Sequence, residues 1–178
     1  MRRLLLDSLI KGPLTEKAPD PEAGALKELA GALKRATRCR LGRSLSIREV
    51  DAGSCNGCEL EIHALGNAYY DIERFGLRFV ASPRHADVLL VTGPVTKNMK
   101  EALERTYRAT PHPKWVVALG DCAIDGGCFA GSYAVVGPVS AVLPVDLHIP
   151  GCPPQPLVIL KGLLALLEQA SVGMTAGP

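Results

Sequence analysis

A chain of 178 residues fits one domain of ordinary size, and 47% apolar with 21% charged residues describes a globular polypeptide, not a disordered one. Aromatic residues make up only 4%, so the core must be built from Ala, Val, Leu and Ile. The formal net charge of +2 carries no nucleic-acid footprint, but it is unevenly spread: residues 1–46 hold ten Lys/Arg against five Asp/Glu, the remainder ten against thirteen.

That basic segment reads as a docking arm for an acidic protein face or anionic lipid headgroups, with a solvated helix face as the plain alternative. The opening MRRLLLDSLIKGPL does not read as a secretory signal, because Asp7 and Lys11 interrupt its apolar run. Leu4–Ile10 predicts a short amphipathic turn, followed by the Pro-rich break KGPLTEKAPDP. From Asp20 and Pro21 onward, Leu26, Leu29, Ala30 and Leu33 recur at helical spacing behind an N-cap and a proline near N1. Lys34, Arg35, Arg38 and Arg40 gather at the helix C-terminus, where they complement its dipole. Residues 1–44 are therefore expected to form an N-terminal basic helical extension, 45–170 the main domain, and 171–178 a C-terminal tail.

After Gly42 the pattern changes. Ser44–Val50 is strand-like and runs into DAGSCNGC; Glu59–Phe75 reads as a helix ended by Gly76. Leu77–Ala81 is a short strand, Ala86–Thr92 a continuous apolar strand, and Thr96–Arg108 an amphipathic helix. Lys114–Leu119 is a further buried strand leading to GDCAIDGGCF. The uncharged stretch Gly126–Val145 has membrane-span length, but its four glycines and two prolines make it loops and short strands. Val145–Ile149 is the last strand, and after PGCPPQP the chain closes on a helix over Leu157–Glu168. Strands alternating with helices predict an α/β fold: a parallel sheet with helices on both faces, in a soluble or peripheral protein.

Six cysteines without an export signal point to metal binding, not disulfides. Cys55 and Cys58 follow the first strand, Cys122 the third buried strand, and Cys152 the last. In a parallel α/β sheet the loops leaving the carboxyl ends of strands gather at one edge, where ligands bind, so these four sulfurs can converge. Four thiolates suit tetrahedral zinc or a [4Fe–4S] cluster. The second half of the set is two single cysteines beside Gly or Pro, unlike the paired knuckles of a zinc ribbon. Gly53, Gly57, Gly126, Gly127 and Gly151 would let backbone N–H groups approach the sulfides, which favours the cluster. Cys39 is left over as a free thiol of the basic arm, and Cys128 as a buried thiol beside the site.

The runs DAGSCNGCELEI, YDIERFG, SPRHADVLLVTGPVTKNM, ALGDCAIDGGCF and VDLHIPGCPPQP together resemble the small subunit of [NiFe] hydrogenases, in the membrane-bound, energy-converting group (group 4) that includes formate hydrogenlyase. They are also similar to the cluster-bearing 20 kDa subunit of respiratory complex I. The resemblance runs over about residues 45–168. It implies a flavodoxin-like fold and one [4Fe–4S] cluster on Cys55, Cys58, Cys122 and Cys152, proximal to the active site of a large catalytic subunit. It further implies a ferredoxin-like polyferredoxin subunit and membrane subunits as partners, at the cytoplasmic face of the cell membrane. The complex I subunit carries two adjacent cysteines in its first motif; here Gly57 stands at the first of these, and Cys55 supplies the sulfur as in hydrogenases. The extra C-terminal cysteines of respiratory uptake hydrogenases are missing, so one cluster is expected. A quinone-reducing complex I-type subunit and a zinc-stabilised, non-redox docking subunit are the alternatives.

Among the remaining residues, Glu61 is preferred over Glu59 as a proton relay beside the cluster, against the plain reading of dipole compensation on a first helix turn. His85 is a weaker proton-coupling candidate against a hydrogen-bonding surface role. His63 and His148 complete no metal set, and no nucleotide-binding loop is present.

Overall fold

The computed structural model describes residues 23–169. The Leu4–Ile10 turn, the Asp20–Pro21 helix start and the 171–178 tail lie outside them. The described residues begin with helix α1 (Ala23–Leu41) and strand β1 (Leu45–Asp51), then α2 (Gly57–Leu65), β2 (Leu77–Phe79), β3 (Val88–Thr92) and β4 (Val95–Thr96). It continues through α3 (Lys97–Ala109), β5 (Trp115–Leu119), a short α4 (Asp121–Asp125), β6 (Val135–Gly137), β7 (Leu147–Ile149) and α5 (Pro156–Gln169).

Five parallel strands form one sheet in the order β2-β1-β3-β5-β7, the flavodoxin-like arrangement, whose direction of winding reverses between β1 and β3. Strands of this kind are buried on both faces, which explains why β3 and most of β5 are apolar without alternation. Their side chains nonetheless split by the pleat. Val88 and Leu90 face one layer with Leu45, Ile47, Leu119 and Ile149, while Leu89 and Val91 face the other with Val116 and Ala118. Helices α1, α2 and α5 cover the first face, and α3, through Leu103, covers the second. Gly162 of α5 allows the helix to lie against β7: a Cβ there would stand 2.5 Å from Ile149 Cδ1.

Leu26, Ala30 and Leu33 of α1 are buried, and Leu26 and Leu33 belong to the same core cluster as β1 and α5. Arg40 Nη1 donates to the Leu167 carbonyl at 2.9 Å, placing a cation at the C-terminus of α5. Arg43 then anchors the entry to β1 by a bidentate pair with the buried Asp87, at 2.8 and 2.6 Å, while Ser46 N–H donates to the same carboxylate at 2.9 Å. Leu33→Ala should accordingly destabilise the domain by about 2–5 kcal/mol, the range for truncating a core leucine. Urea unfolding checks this; a change near zero would mean that α1 adds nothing to the core's stability.

Two features differ from the expected pattern. The helix expected over Glu59–Phe75 ends at Leu65. Asn67 Oδ1 accepts from the N–H groups of Tyr69 and Tyr70 at 2.8 and 3.0 Å, an Asx turn competing with helix propagation. Asp71 then adopts a left-handed conformation (φ 44°) before a 3₁₀ turn over Ile72–Phe75. Second, β4 and β6 pair antiparallel as a small separate sheet. No helix of the described residues is long and apolar enough to cross a membrane.

Candidate metal centre

Four of the described cysteines meet at the carboxyl edge of the sheet. Cys55, Cys58, Cys122 and Cys152 line one cavity of about 150 Å³, with Ser54, Gly57, Gly93, Asp121, Gly151 and Pro153 completing the wall. Cys55 and Cys58 arrive from the loop after β1, Cys122 from the turn after β5 and Cys152 from the loop after β7. The site therefore sits where the winding of the sheet reverses, the crevice in which open α/β sheets hold ligands.

Each loop is shaped by its own sequence. Asp51 Oδ1 accepts from the N–H groups of Gly53 and Ser54, both at 2.7 Å, and Ser54 Oγ accepts from Asn56 N–H at 3.1 Å. These bonds turn the chain so that Asn56, with φ 71°, starts α2 at Gly57. Asp121 links the other two loops: its Oδ1 accepts from Gly151 N–H at 2.8 Å, and its own N–H donates to the Gly151 carbonyl at 3.0 Å. Cys122 and Cys152 are thereby held in one frame.

Glycines make the room. A Cβ on Gly120 would lie 2.6 Å from Cys58 Sγ, and one on Gly127 would lie 2.7 Å from Cys122 Sγ. Both positions have positive φ, 88° and 49°.

The thiols sense one another. Burial pushes the Cys58 thiol up to about 12, helped by the charge of Glu59 and then by the Cys122, Cys55 and Cys152 sulfurs. Burial also raises Cys122, reinforced by Cys128 and Cys152. A thiol so raised must lose its proton when it binds metal, so loading this site releases protons. Among the described residues, no group of three or more His, Cys, Asp or Glu is drawn close enough to hold a metal ion. Sulfurs around a tetrahedral zinc would all lie about 2.3 Å from one point. These sulfurs ring a cavity several times the ~30 Å³ share of a water molecule. The donor chemistry and the room therefore fit a thiolate-bound polynuclear group, with Gly57 and Gly151 in its wall.

The other candidates fall elsewhere. Glu61 is half-buried on α2, without a polar partner among the described residues. Glu59, two residues earlier and passed over in the sequence reading, is the buried one, and neither of its carboxylate oxygens has a hydrogen-bond partner. Glu49 on the neighbouring strand is raised by its own burial and then by the charge of Glu59. Helical spacing distinguishes the two: Glu59 shares the inward face of α2 with Ile62 and Leu65. His85 lies at the amino ends of the strands, beside Arg43 and Arg84, and is not brought to the cysteines. Cys39 is exposed, as expected of a free thiol. Cys128 is exposed too, in place of the buried thiol expected, because the 3₁₀ turn over Gly127–Phe129 carries it to the surface; it still lies near enough to raise Cys122.

The fold is thus a parallel α/β domain with four cysteines around one cavity at its carboxyl edge. The chain belongs to the family described as NADH ubiquinone oxidoreductase, 20 Kd subunit, whose model matches residues 55–166. It is 48% identical, over 72% of its own length and 77% of the relative's, to the protein of Pyrococcus furiosus described as "Probable membrane-bound hydrogenase subunit mbhJ". It is 42% identical to formate hydrogenlyase subunit 7 of Escherichia coli over 84% of this chain, but spans only 60% of that protein. Among solved structures it is similar to a chain of the membrane-bound sulfane sulfur reductase, an archaeal respiratory membrane complex. There the TM-score is 0.66 at 35% identity, covering 81% of this chain and 77% of the other.

Proposed function

We propose that this chain holds one [4Fe–4S] cluster through Cys55, Cys58, Cys122 and Cys152 and serves as the electron-transfer small subunit of a multisubunit, membrane-bound hydrogenase complex. The observation that carries this is the single cavity lined by all four thiols. When bound, such a cluster supplies one-electron transfer at a potential set by its surroundings. The chain's own residues hold four sulfurs at fixed positions, keep bulk away from Cys58 and Cys122 through Gly120 and Gly127, and present a wall with few polar groups. The chain itself makes and breaks no substrate bond.

The exposed apolar residues Leu60, Phe129, Tyr133 and Val136 lie on the segments that follow Cys58 and Cys122, and exposed side chains of this kind belong in an interface. A large catalytic subunit at this edge, with a ferredoxin-like subunit and membrane subunits completing the complex, is the assembly this favours, docked at the cytoplasmic face of the membrane. The family description and the sulfane sulfur reductase neighbour favour a second reading, in which the same electron carrier serves a complex whose partner reduces quinone or another acceptor. Iron, acid-labile sulfide and zinc measured on the purified complex test the proposal. Four irons and four sulfides per chain at this site, with broad visible absorbance, are expected, and stoichiometric zinc without colour would overturn it.

Glu61 completes the proposal as a proton relay near the catalytic partner. Glu61→Gln should keep the cluster absorbance and the assembly while lowering hydrogen turnover by roughly the 10²–10⁴-fold typical of a lost acid–base group. Turnover at the parental rate with a lowered thermal midpoint would make Glu61 a structural residue of α2 only, one turn past the helix start.

A further inference from the structure

A second surface of the molecule lies at the pole opposite the cysteines. The parallel strands all run from this pole to the thiol-lined edge, and a five-residue strand spans about 17 Å. At their amino ends two grooves, of about 300 and 260 Å³, share Arg43 as a common wall. Lys34 and Arg38, one turn apart on α1, and Arg74 line the first beside the exposed Glu73; Arg78, Arg84 and His85 line the second beside Asp87. Three of the cations here are already engaged. Arg43 is paired with Asp87, Arg74 with Asp71 at 3.4 Å, and Arg78 Nε donates to Ser46 Oγ at 3.0 Å. Lys34, Arg38 and Arg84 are exposed and have no side-chain hydrogen bond or ion pair among the described residues. They stand as solvated, unpaired cations around concave surface.

We infer that this pole docks an acidic segment of a neighbouring protein subunit, whose Asp and Glu side chains enter the two grooves. Three features select that occupant. The charge is concentrated where the anchored Arg43 joins both grooves, so a single strand of carboxylates can follow the line from Lys34 and Arg38 to Arg84. Most of the cations are guanidinium groups, whose fork of donors matches a carboxylate bidentately. Neither groove has a large apolar side chain in its lining, whereas a helix or patch that settles on lipid pairs its basic residues with Trp, Phe or Leu entering the headgroup layer. A partner held here sits across the sheet from the cavity and leaves the thiol-lined edge free for another subunit. The chain would therefore be clamped between two partners.

The inference rests on the multisubunit reading, but its test has a separate readout. In the complete purified complex, Arg38→Glu with Arg84→Glu should release one neighbouring subunit at a salt concentration where the parent retains it, a roughly tenfold weakening of association. The cluster absorbance should stay unchanged. Neither arginine has a side-chain partner among the described residues, so the described fold does not depend on either, and the Arg38→Gln/Arg84→Gln pair should give an intermediate loss. In the parent complex, a carbodiimide that joins carboxylates to amines should couple Lys34 to an acidic peptide of that same subunit. Unchanged subunit composition at all salt concentrations, with no coupling at Lys34, would overturn the inference. So would salt-sensitive binding of the complex to vesicles containing anionic phosphatidylserine that the Glu variants abolish while subunit composition holds. Loss of iron from the parent complex would instead count against the cluster reading alone.

Discussion

Cys122→Ala should strip the complex of the visible absorbance and of the iron and sulfide assigned to this chain, while the sheet stays folded. Cys122 enters the cavity from α4, a short helix whose frame is tied to the Cys152 loop through the backbone and side chain of Asp121, not through the sulfur. Removing the thiol therefore takes away a ligand without untying the loops. The cavity wall near Cys122 has little else to offer. Cys128 is near enough to raise Cys122, but it sits exposed on the 3₁₀ turn. Absorbance, iron analysis and circular dichroism on the same preparation separate loss of the cluster from loss of the fold. A parental spectrum in the variant would remove Cys122 from the ligand set.

Gly120→Ala should have nearly as large an effect although it touches no ligand atom chemically. Gly120 ends β5 with φ 88° and ψ 155°, a region open essentially only to glycine. The strain of an alanine there costs about 1–3 kcal/mol, or roughly 2–12 °C in thermal midpoint for a domain of this size. Strain alone, however, would leave the cavity intact. The decisive term is steric: the added methyl would stand 2.6 Å from Cys58 Sγ and 3.4 Å from the Gly151 carbonyl, so either the sulfur or the Cys152 loop must move. Iron content should fall well below the parent's. Gly131→Ala provides the comparison, because Gly131 also has positive φ, 78°, but open space around it. It should lower the thermal midpoint and leave the iron untouched. If both variants retained full iron, close packing of glycine against sulfur would have no part in holding the site.

Much of this was legible in the order of residues along the chain. Continuous apolar runs such as VLLVT and WVVAL are what a strand buried on both faces requires, and their alternation with helical periods leaves a parallel sheet as the natural arrangement. Cysteines immediately after three of those strands must then end at one edge, because parallel strands all point the same way. The ring of four thiols follows from strand direction, which a one-dimensional pattern does encode.

Other features depended on neighbours that no local pattern names. Periodicity told that α1 has an apolar face, but only the packed structure shows Leu26 and Leu33 buried in the main core. Glu59 and Glu61 look alike on the first turns of a helix; which of them is buried is decided by the side of α2 that meets the sheet. The helix stop at Asn67 hangs on a side chain choosing local N–H groups over the helical ladder. His85 follows a cluster of loop residues in sequence, yet strand direction places it at the pole away from the thiols. Sequence by itself determined the strands, their direction and the four cysteines that direction gathers. The tertiary structure decided burial, the clearance at Gly120 and Gly127, and the basic grooves at the far pole, because each of these is a distance between segments far apart in the chain.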